Sequence, residues 1–192
     1  NRKKFMASGA DIWKRGLVLG VLNYIAYAAQ TIGLEYTTVA KSSLITYFFA
    51  VLTPPLHYLL TGKKPNRGNL AGLAVVFAGM IIITSPKAEG INIGDVLTLA
   101  SALSYAFYIV LLDKYPSRGD AGVLVSIQFL LTGVLGLASA PLAETVYIEL
   151  NTSLLLSLAY LSFLGSAVSI FLINRFQYYT THTRAVIIYS SE

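Results

Sequence analysis

The chain has 192 residues, 55% of them hydrophobic and only 12% charged, with a mean hydropathy of +0.65, a balance that excludes an ordinary water-soluble domain. Its formal net charge is +5 and it has no cysteine, which excludes disulfides, thiol chemistry and cysteine-ligated metal. A basic excess suggests nucleic acid only where it gathers into a patch, and here it is dispersed among long apolar runs.

Those runs set the elements. Uncharged stretches lie at 16–34, 42–62, 68–86, 96–112, 121–143 and 150–174, each between 17 and 25 residues long. That is the length an α-helix needs to cross a hydrocarbon core about 30 Å thick. A seventh stretch begins after Arg184 and reaches Glu192. Membrane strands are a poor alternative, because they are about 10 residues long and alternate in polarity. The composition therefore predicts an all-α, polytopic transmembrane helix bundle in a lipid bilayer.

Residues 1–15 open with NRKKF followed by ASGAD, which lacks the apolar core of a signal peptide, and Trp13 sits where an interfacial anchor belongs. In the first helix Gly16 and Gly20 have the small-xxx-small spacing that lets a neighbouring helix approach closely. Asn23, Tyr27 and Gln30 follow at i, i+4 and i+7, so three polar side chains share one face and must meet protein or water. Interhelical packing and the lining of a solvated pocket both satisfy that requirement.

The second helix carries Pro54 and Pro55 in its interior, and a bend or break is expected there. Thr46, Thr53 and His57 share a face with Tyr47 close by; His57 is as well placed to reach the interface as to bind substrate or a proton. A basic turn, GKKPNRG, leads to an almost purely apolar third helix at 68–86. The polar segment 87–95 reads as the hinge between two halves. Helix four repeats the pattern of helix one with Ser101, Tyr105 and Tyr108 at i, i+4, i+7 and Ser104 beside them. Helix five has Gln128 and Thr132 on one face and a small-residue run at Gly133, Gly136, Ala138 and Ala140, a packing face by default. Helix six places Ser162, Ser166 and Ser169 at the same polar spacing.

The basic residues give orientation. Arg2, Lys3, Lys4, Lys14, Arg15, Lys63, Lys64, Arg67, Lys114, Arg118, Arg175 and Arg184 fall in alternate connections, leaving Lys41 and Lys87 for the others. This is the positive-inside pattern, so residue 1 is expected on the cytoplasmic side of the plasma (inner) membrane. The charge is thereby accounted for by topology, and no nucleic-acid partner is expected.

YTTVAK at 36–41 recurs as YTTHTR at 179–184, a shift of 143 residues that also lays 16–34 onto 159–177. Helix six is the fifth crossing after helix one, so the two copies would run in opposite directions. Inverted-topology repeats of this kind build alternating-access carriers, with binding sites near the midplane. The shift divides the chain into 1–86, three helices of a first repeat, and 94–192, three helices and the start of a fourth in a second. It also calls for further helices on both sides of the sequence.

GLEYTTVAKSSLI, TPPLHYLLTG, GLAVVFAGMIII, GDVLTLASALSYAFYIVLLDKY and RAVIIYSSE, in this order and spacing, resemble helices three to early nine of the EamA-like, ten-helix members of the drug/metabolite transporter superfamily. The resemblance covers the whole chain and implies a repeat of five helices with a central metabolite cavity. Many relatives place an acidic residue before the basic turn, where this chain has Gly62.

The expected function is secondary transport, as an exporter, of a small metabolite such as an amino acid or related compound, with no cofactor. Expected substrate contacts are Asn23, Tyr27, Gln30, Tyr47, His57, Ser101, Tyr105, Tyr108 and Ser166. Glu192 lies eight residues beyond Arg184, about 12 Å along a helix and thus deep in the bilayer, and is the candidate for proton coupling. A lipid or lipid-linked sugar flippase of the same superfamily is the alternative. Enzyme readings find little purchase: GSAVS is not a nucleophile elbow, the segment before Asp95 reads NIGD and not GxGD, two histidines make no zinc site, and no P-loop is present. The sequence is compatible with a monomer.

Overall fold

The computed structural model describes residues 2–62, 64, 70–71, 73–75, 78, 92–114, 121–143, 151–176 and 179. The GKKPNRG turn and the 68–86 helix lie largely outside this set; the 144–149 connection, the second YTT segment beyond Tyr179, Arg184 and Glu192 lie wholly outside it. The described residues are overwhelmingly helical and contain no strand. Five of their spans are long and apolar enough to cross a membrane: Asp11–Leu34, Val39–Thr61, Ile93–Asp113, Gly122–Pro141 and Thr152–Phe176. The chain is an all-α bundle of membrane-spanning helices, and side chains such as Leu59 (77% exposed) and Leu137 (80%) stand out from it as lipid-facing residues do.

Helix α1 spans Arg2–Leu34, beginning well before the apolar run at residue 16. No proline interrupts residues 2–15, and Asp11 and Arg15 form an i,i+4 ion pair that supports the extension. Two tight backbone bonds, Glu35 N–H to Ile32 and Tyr36 N–H to Gly33, then turn the chain. Thr38 caps the next helix, α2 (Val39–Thr46), by accepting the Lys41 N–H at 3.2 Å. The second threonine of the first YTT is thus a helix start signal.

Helix α3 covers Phe48–Thr61. The break in this span falls at Tyr47 (φ −64°, ψ −7°), several residues before the prolines where the sequence placed it, and α3 continues through Pro54 and Pro55. The chain tightens here, because the Ala50 N–H reaches back three residues to Tyr47 at 2.9 Å. Within α3 the Thr53 hydroxyl donates to the Phe49 carbonyl at 2.7 Å. Gly62 ends α3 with φ +72°, its N–H bonded to Tyr58 at 2.8 Å. A left-handed C-cap favours glycine, which gives a physical reason for Gly62 at this position.

Helix α4 (Ile93–Lys114) starts with a reciprocal cap. Asp95 N–H donates to Asn92 Oδ1 and Asn92 N–H to Asp95 Oδ2, both at 2.9 Å. Helix α5 is Ala121–Ala143, and α6 is Thr152–Tyr160, capped by Asn151. The chain then widens into a π-helical segment, Leu161–Val168, before α7, Ser169–Phe176. In a π-helix the i, i+4, i+7 positions no longer stack, so the serine stripe expected on helix six does not form one face: Ser162 is exposed, and the Ser169 hydroxyl turns back to the Leu164 carbonyl at 3.1 Å.

The chain divides into two compact units, Leu22–Lys114 with Thr180–Glu192, and Asn1–Val21 with Tyr115–Tyr179. In the first, α1 runs antiparallel to α4: Gly33 meets Gly94 near one end, and the Ser104 hydroxyl donates to the Leu22 carbonyl at 2.8 Å farther along. The α2–α3 span runs parallel to α4, with Ser42 facing Thr98, Phe49 facing Tyr105 and His57 facing Asp113, each pair 56 residues apart.

In the other unit the start of α1 packs against α5. A Cβ at Gly16 would lie 2.6 Å from Ile127 Cγ2, and one at Gly20 3.3 Å from the Gln128 backbone, so the predicted close approach is real. The Thr132 hydroxyl donates to the Gly20 carbonyl at 3.2 Å, and Gln128 Nε2 donates to Asn174 Oδ1 at 3.1 Å. The polar face of α5 is therefore its packing face. The small-residue run is not: Gly133 and Gly136 have nothing within 4 Å of an added Cβ among the described residues.

Candidate functional site

In the unit built on Leu22–Lys114, buried polar and aromatic side chains line the seam between α4 and its neighbours. Asn23, Thr53, His57, Asp95, Thr98, Ser101 and Ser104 are buried, as is Tyr108. Three layers can be distinguished along the seam.

At one end Asp95 ties together the starts of α2 and α4. Its Oδ2 lies 2.6 Å from Lys41 Nζ, its Oδ1 accepts from the Thr37 hydroxyl at 2.8 Å, and its backbone is tied to Asn92. Both side chains of the ion pair are largely buried, so the pair acts as a fixed clasp and not as a solvated surface bridge. Gly33 and Gly94 permit it: a Cβ on Gly94 would fall 2.4 Å from the Gly33 carbonyl oxygen.

The middle layer is aromatic. Phe49 meets Tyr105 edge-to-face with centroids 5.0 Å apart, Tyr105 stacks on Tyr108 at 5.6 Å, and Tyr47 stacks on Phe49 at 5.9 Å. Gln30 Nε2 donates to Thr46 Oγ1 at 3.1 Å, linking α1 to the end of α2. Asn23 is 1% exposed, and neither Oδ1 nor Nδ2 of its amide has a hydrogen-bond partner among the described residues. Leaving a buried amide unpaired costs about 1–3 kcal/mol, so the position is expensive unless something polar meets it.

At the far end His57 Nε2 lies 3.3 Å from Asp113 Oδ2. The Thr61 hydroxyl donates to the His57 carbonyl at 2.7 Å, and its oxygen is 3.2 Å from Nδ1. His57 is buried against α4 and does not reach out to the interface.

Eight of the expected contact residues, from Asn23 to Tyr108, thus belong to one unit, and Gln30, Tyr47, Tyr105 and Tyr108 take part in its contacts. Tyr27 is 39% exposed. Ser166 lies in the other unit, in the π-helical segment. Sequence reading missed Thr37, Asp95 and Asp113 as members of the site. In the sequence Asp95 and Asp113 only bound an uncharged run; the parallel packing of α2–α3 on α4 is what sets Asp95 against Lys41 and Asp113 against His57.

The model of the EamA-like transporter family matches residues 2–85 and 92–192. The chain belongs to the EamA-like transporter family. Relatives of this EamA-like protein include an "Uncharacterized transporter" of Archaeoglobus fulgidus, 30% identical over 182 residues, which cover 94% of this chain and 58% of the relative. The "Uncharacterized transporter YvbV" of Bacillus subtilis is 33% identical over 132 residues, 67% of this chain and 43% of the relative. The "Uncharacterized transporter in sor 3'region" of Acidianus ambivalens is 26% identical over 159 residues, 82% of this chain and 61% of the relative. The chain therefore spans less than two thirds of the length of these relatives. No solved structure gives a significant match to it. Family and fold together make this EamA-like chain an integral membrane protein.

Proposed function

We propose that the chain is the central part of a secondary transporter that exports a small, partly apolar metabolite by alternating access. The observation that carries the reading is the buried, unpaired amide of Asn23 on a membrane-spanning helix that also presents Gln30 to the α2–α3 span. A metabolite with an amide, amine or carboxylate group would pair with Asn23, and its apolar part would lie against the aromatic layer of Phe49, Tyr105 and Tyr108.

Residues 1–86 and 94–192 would be two inverted repeats, rocking against each other to expose the site to each side in turn. Residue 1 would face the cytoplasm at the plasma membrane, which puts the Lys41–Asp95 end outside and the His57–Asp113 end inside. Tyr27 and Ser101 would complete the lining on this unit, and Glu192, outside the described residues, would be a protonatable group coupled to substrate movement. Nothing in this mechanism needs a cofactor or a second copy.

The test is counterflow of radiolabelled amino acids through proteoliposomes that hold the full-length protein. Saturable uptake that falls at least tenfold in Asn23→Leu supports the reading. Movement of labelled lipid between leaflets with no solute counterflow would replace it with a flippase.

A further inference from the structure

We propose that Asn23 and the part of α3 opposite it form a notch that takes the ammonium group of an amine with an oxygen close by, such as an amino alcohol or an amino acid. This deepens the transporter reading and rests on it for the purpose of binding, while its test reads binding alone. Asn23 and Gln30 are seven residues apart, two turns of α1, and so lie on one face. Gln30 Nε2 donates to Thr46 Oγ1 at 3.1 Å, so that face of α1 meets the α2–α3 span. The two run antiparallel, and the same two turns counted from Thr46 lead to Thr53. Counted instead through α4, where Ser104 meets the Leu22 carbonyl and Tyr105 meets Phe49, Asn23 comes level with Phe49. Both routes set the Asn23 amide, 1% exposed, against the stretch 49–53.

That stretch of α3 carries the backbone groups its prolines set free. Pro54 has no N–H for the Ala50 carbonyl, and Pro55 none for the Val51 carbonyl. Ala50 and Pro54 are buried whereas Val51 and Pro55 are exposed, so the Ala50 carbonyl is the one freed on the packed side. In membrane helices a neighbouring hydroxyl can serve such a carbonyl, but Thr53 spends its proton on Phe49 at 2.7 Å. Ala50 is also four residues beyond Thr46, on the side of the span that Gln30 meets. The notch thus brings together two acceptors, Asn23 Oδ1 and the Ala50 carbonyl, and one donor, Asn23 Nδ2. Neither atom of the amide has a partner among the described residues. Two acceptors suit an ammonium, and the single donor suits an oxygen on the same ligand. A carboxylate without an amine finds no counter-charge at this level. The lysines described in this unit stand at the ends of helices: Lys41 in α2, paired with Asp95, Lys64 past Gly62, and Lys114 closing α4.

The test is binding of tritiated phenylalaninol to the full-length protein in lipid nanodiscs, with phenylpropanol, which keeps the ring and hydroxyl but lacks the amine, as competitor. The expected result is saturable binding that unlabelled phenylalaninol displaces and phenylpropanol does not. Kd should rise about tenfold in Asn23→Leu, which removes the amide, and about tenfold in Pro54→Ala, which gives the Ala50 carbonyl a helical donor in place of the ligand. Pro55→Ala restores the donor on the exposed side and should leave Kd unchanged. Asn23→Leu and the phenylpropanol comparison read the site without touching either proline. No binding of phenylalaninol, displacement by phenylpropanol at equal concentration, native affinity in Asn23→Leu or Pro54→Ala, or an equal loss in Pro55→Ala overturns the proposal. Binding with all these dependences but no counterflow in proteoliposomes would count against the transporter reading alone.

Discussion

Replacing Gly94 with alanine tests the packing on which the clasp depends. The new Cβ would lie 2.4 Å from the Gly33 carbonyl oxygen, 2.9 Å from Tyr36 Cβ and 3.0 Å from the Thr37 nitrogen. Two of these are backbone atoms that cannot rotate aside, so α1 and α4 must move apart to admit a methyl group. Overpacking of this kind costs about 1–3 kcal/mol, and the backbone contacts put this site at the upper end. Alanine returns at most about 1 kcal/mol in helix propensity, less at the second position of a helix. The net loss is about 2 kcal/mol, which corresponds to a fall in Tm of about 4–8 °C. Thermal unfolding of the purified full-length protein in detergent, followed by fluorescence-detected size exclusion, reads the change. Gly136→Ala is the control: an added Cβ there meets nothing among the described residues, and the Tm should hold or rise. A Tm for Gly94→Ala at or above the native value would refute the close approach of α1 and α4.

Lys41→Met strands the Asp95 carboxylate, and breaking a buried pair from one side costs about 3–5 kcal/mol; the double variant Lys41→Met with Asp95→Asn should recover part of that loss in the same unfolding assay. Phe49→Ala removes a buried ring (4% exposed) packed edge-to-face on Tyr105 and should cost about 3–5 kcal/mol. Asn23→Leu should separate stability from function: it removes an unpaired buried amide, so the Tm should rise by a few degrees, corresponding to roughly 1 kcal/mol, while counterflow is lost. Gln128→Leu leaves Asn174 Oδ1 without its interhelical donor and should cost about 1 kcal/mol, a value a double variant with Asn174→Leu would reduce.

Much of the architecture was legible because lipid imposes long uncharged runs, and the spans from α1, α2–α3, α4, α5 and α6–α7 all appeared as such. Gly16 and Gly20 were readable as a contact because only a side-chain-free surface allows helices so close. What stayed hidden depended on three-dimensional partners. The prolines of α3 are the loudest local signal in its span, yet the interruption falls at Tyr47, where a turn with a three-residue hydrogen bond absorbs it. Gly133 and Gly136, three residues apart, offer as bare a surface in sequence as Gly16 and Gly20, four apart, but the face of α5 that packs is set by Gln128 and Thr132, whose hydrogen bonds to Asn174 and Gly20 need partners far along the chain. The π-helical segment at Leu161–Val168 has no proline, and Gly165 followed by Ser166 marks a weak point in the helix without specifying the widened turn. Asn23 stands out in the sequence by its spacing with Tyr27 and Gln30, whereas Asp113 becomes visible as a candidate only beside His57.

The contacts Ser42–Thr98, Phe49–Tyr105 and His57–Asp113 advance by seven and then eight residues on both partners, close to two helical turns each time. Two ribs meshed at that pitch behave like the teeth of a zip. Sliding one along the other by a single residue would rotate every tooth by about 100° and disengage all three at once. Separation therefore has to travel from a free end, tooth by tooth.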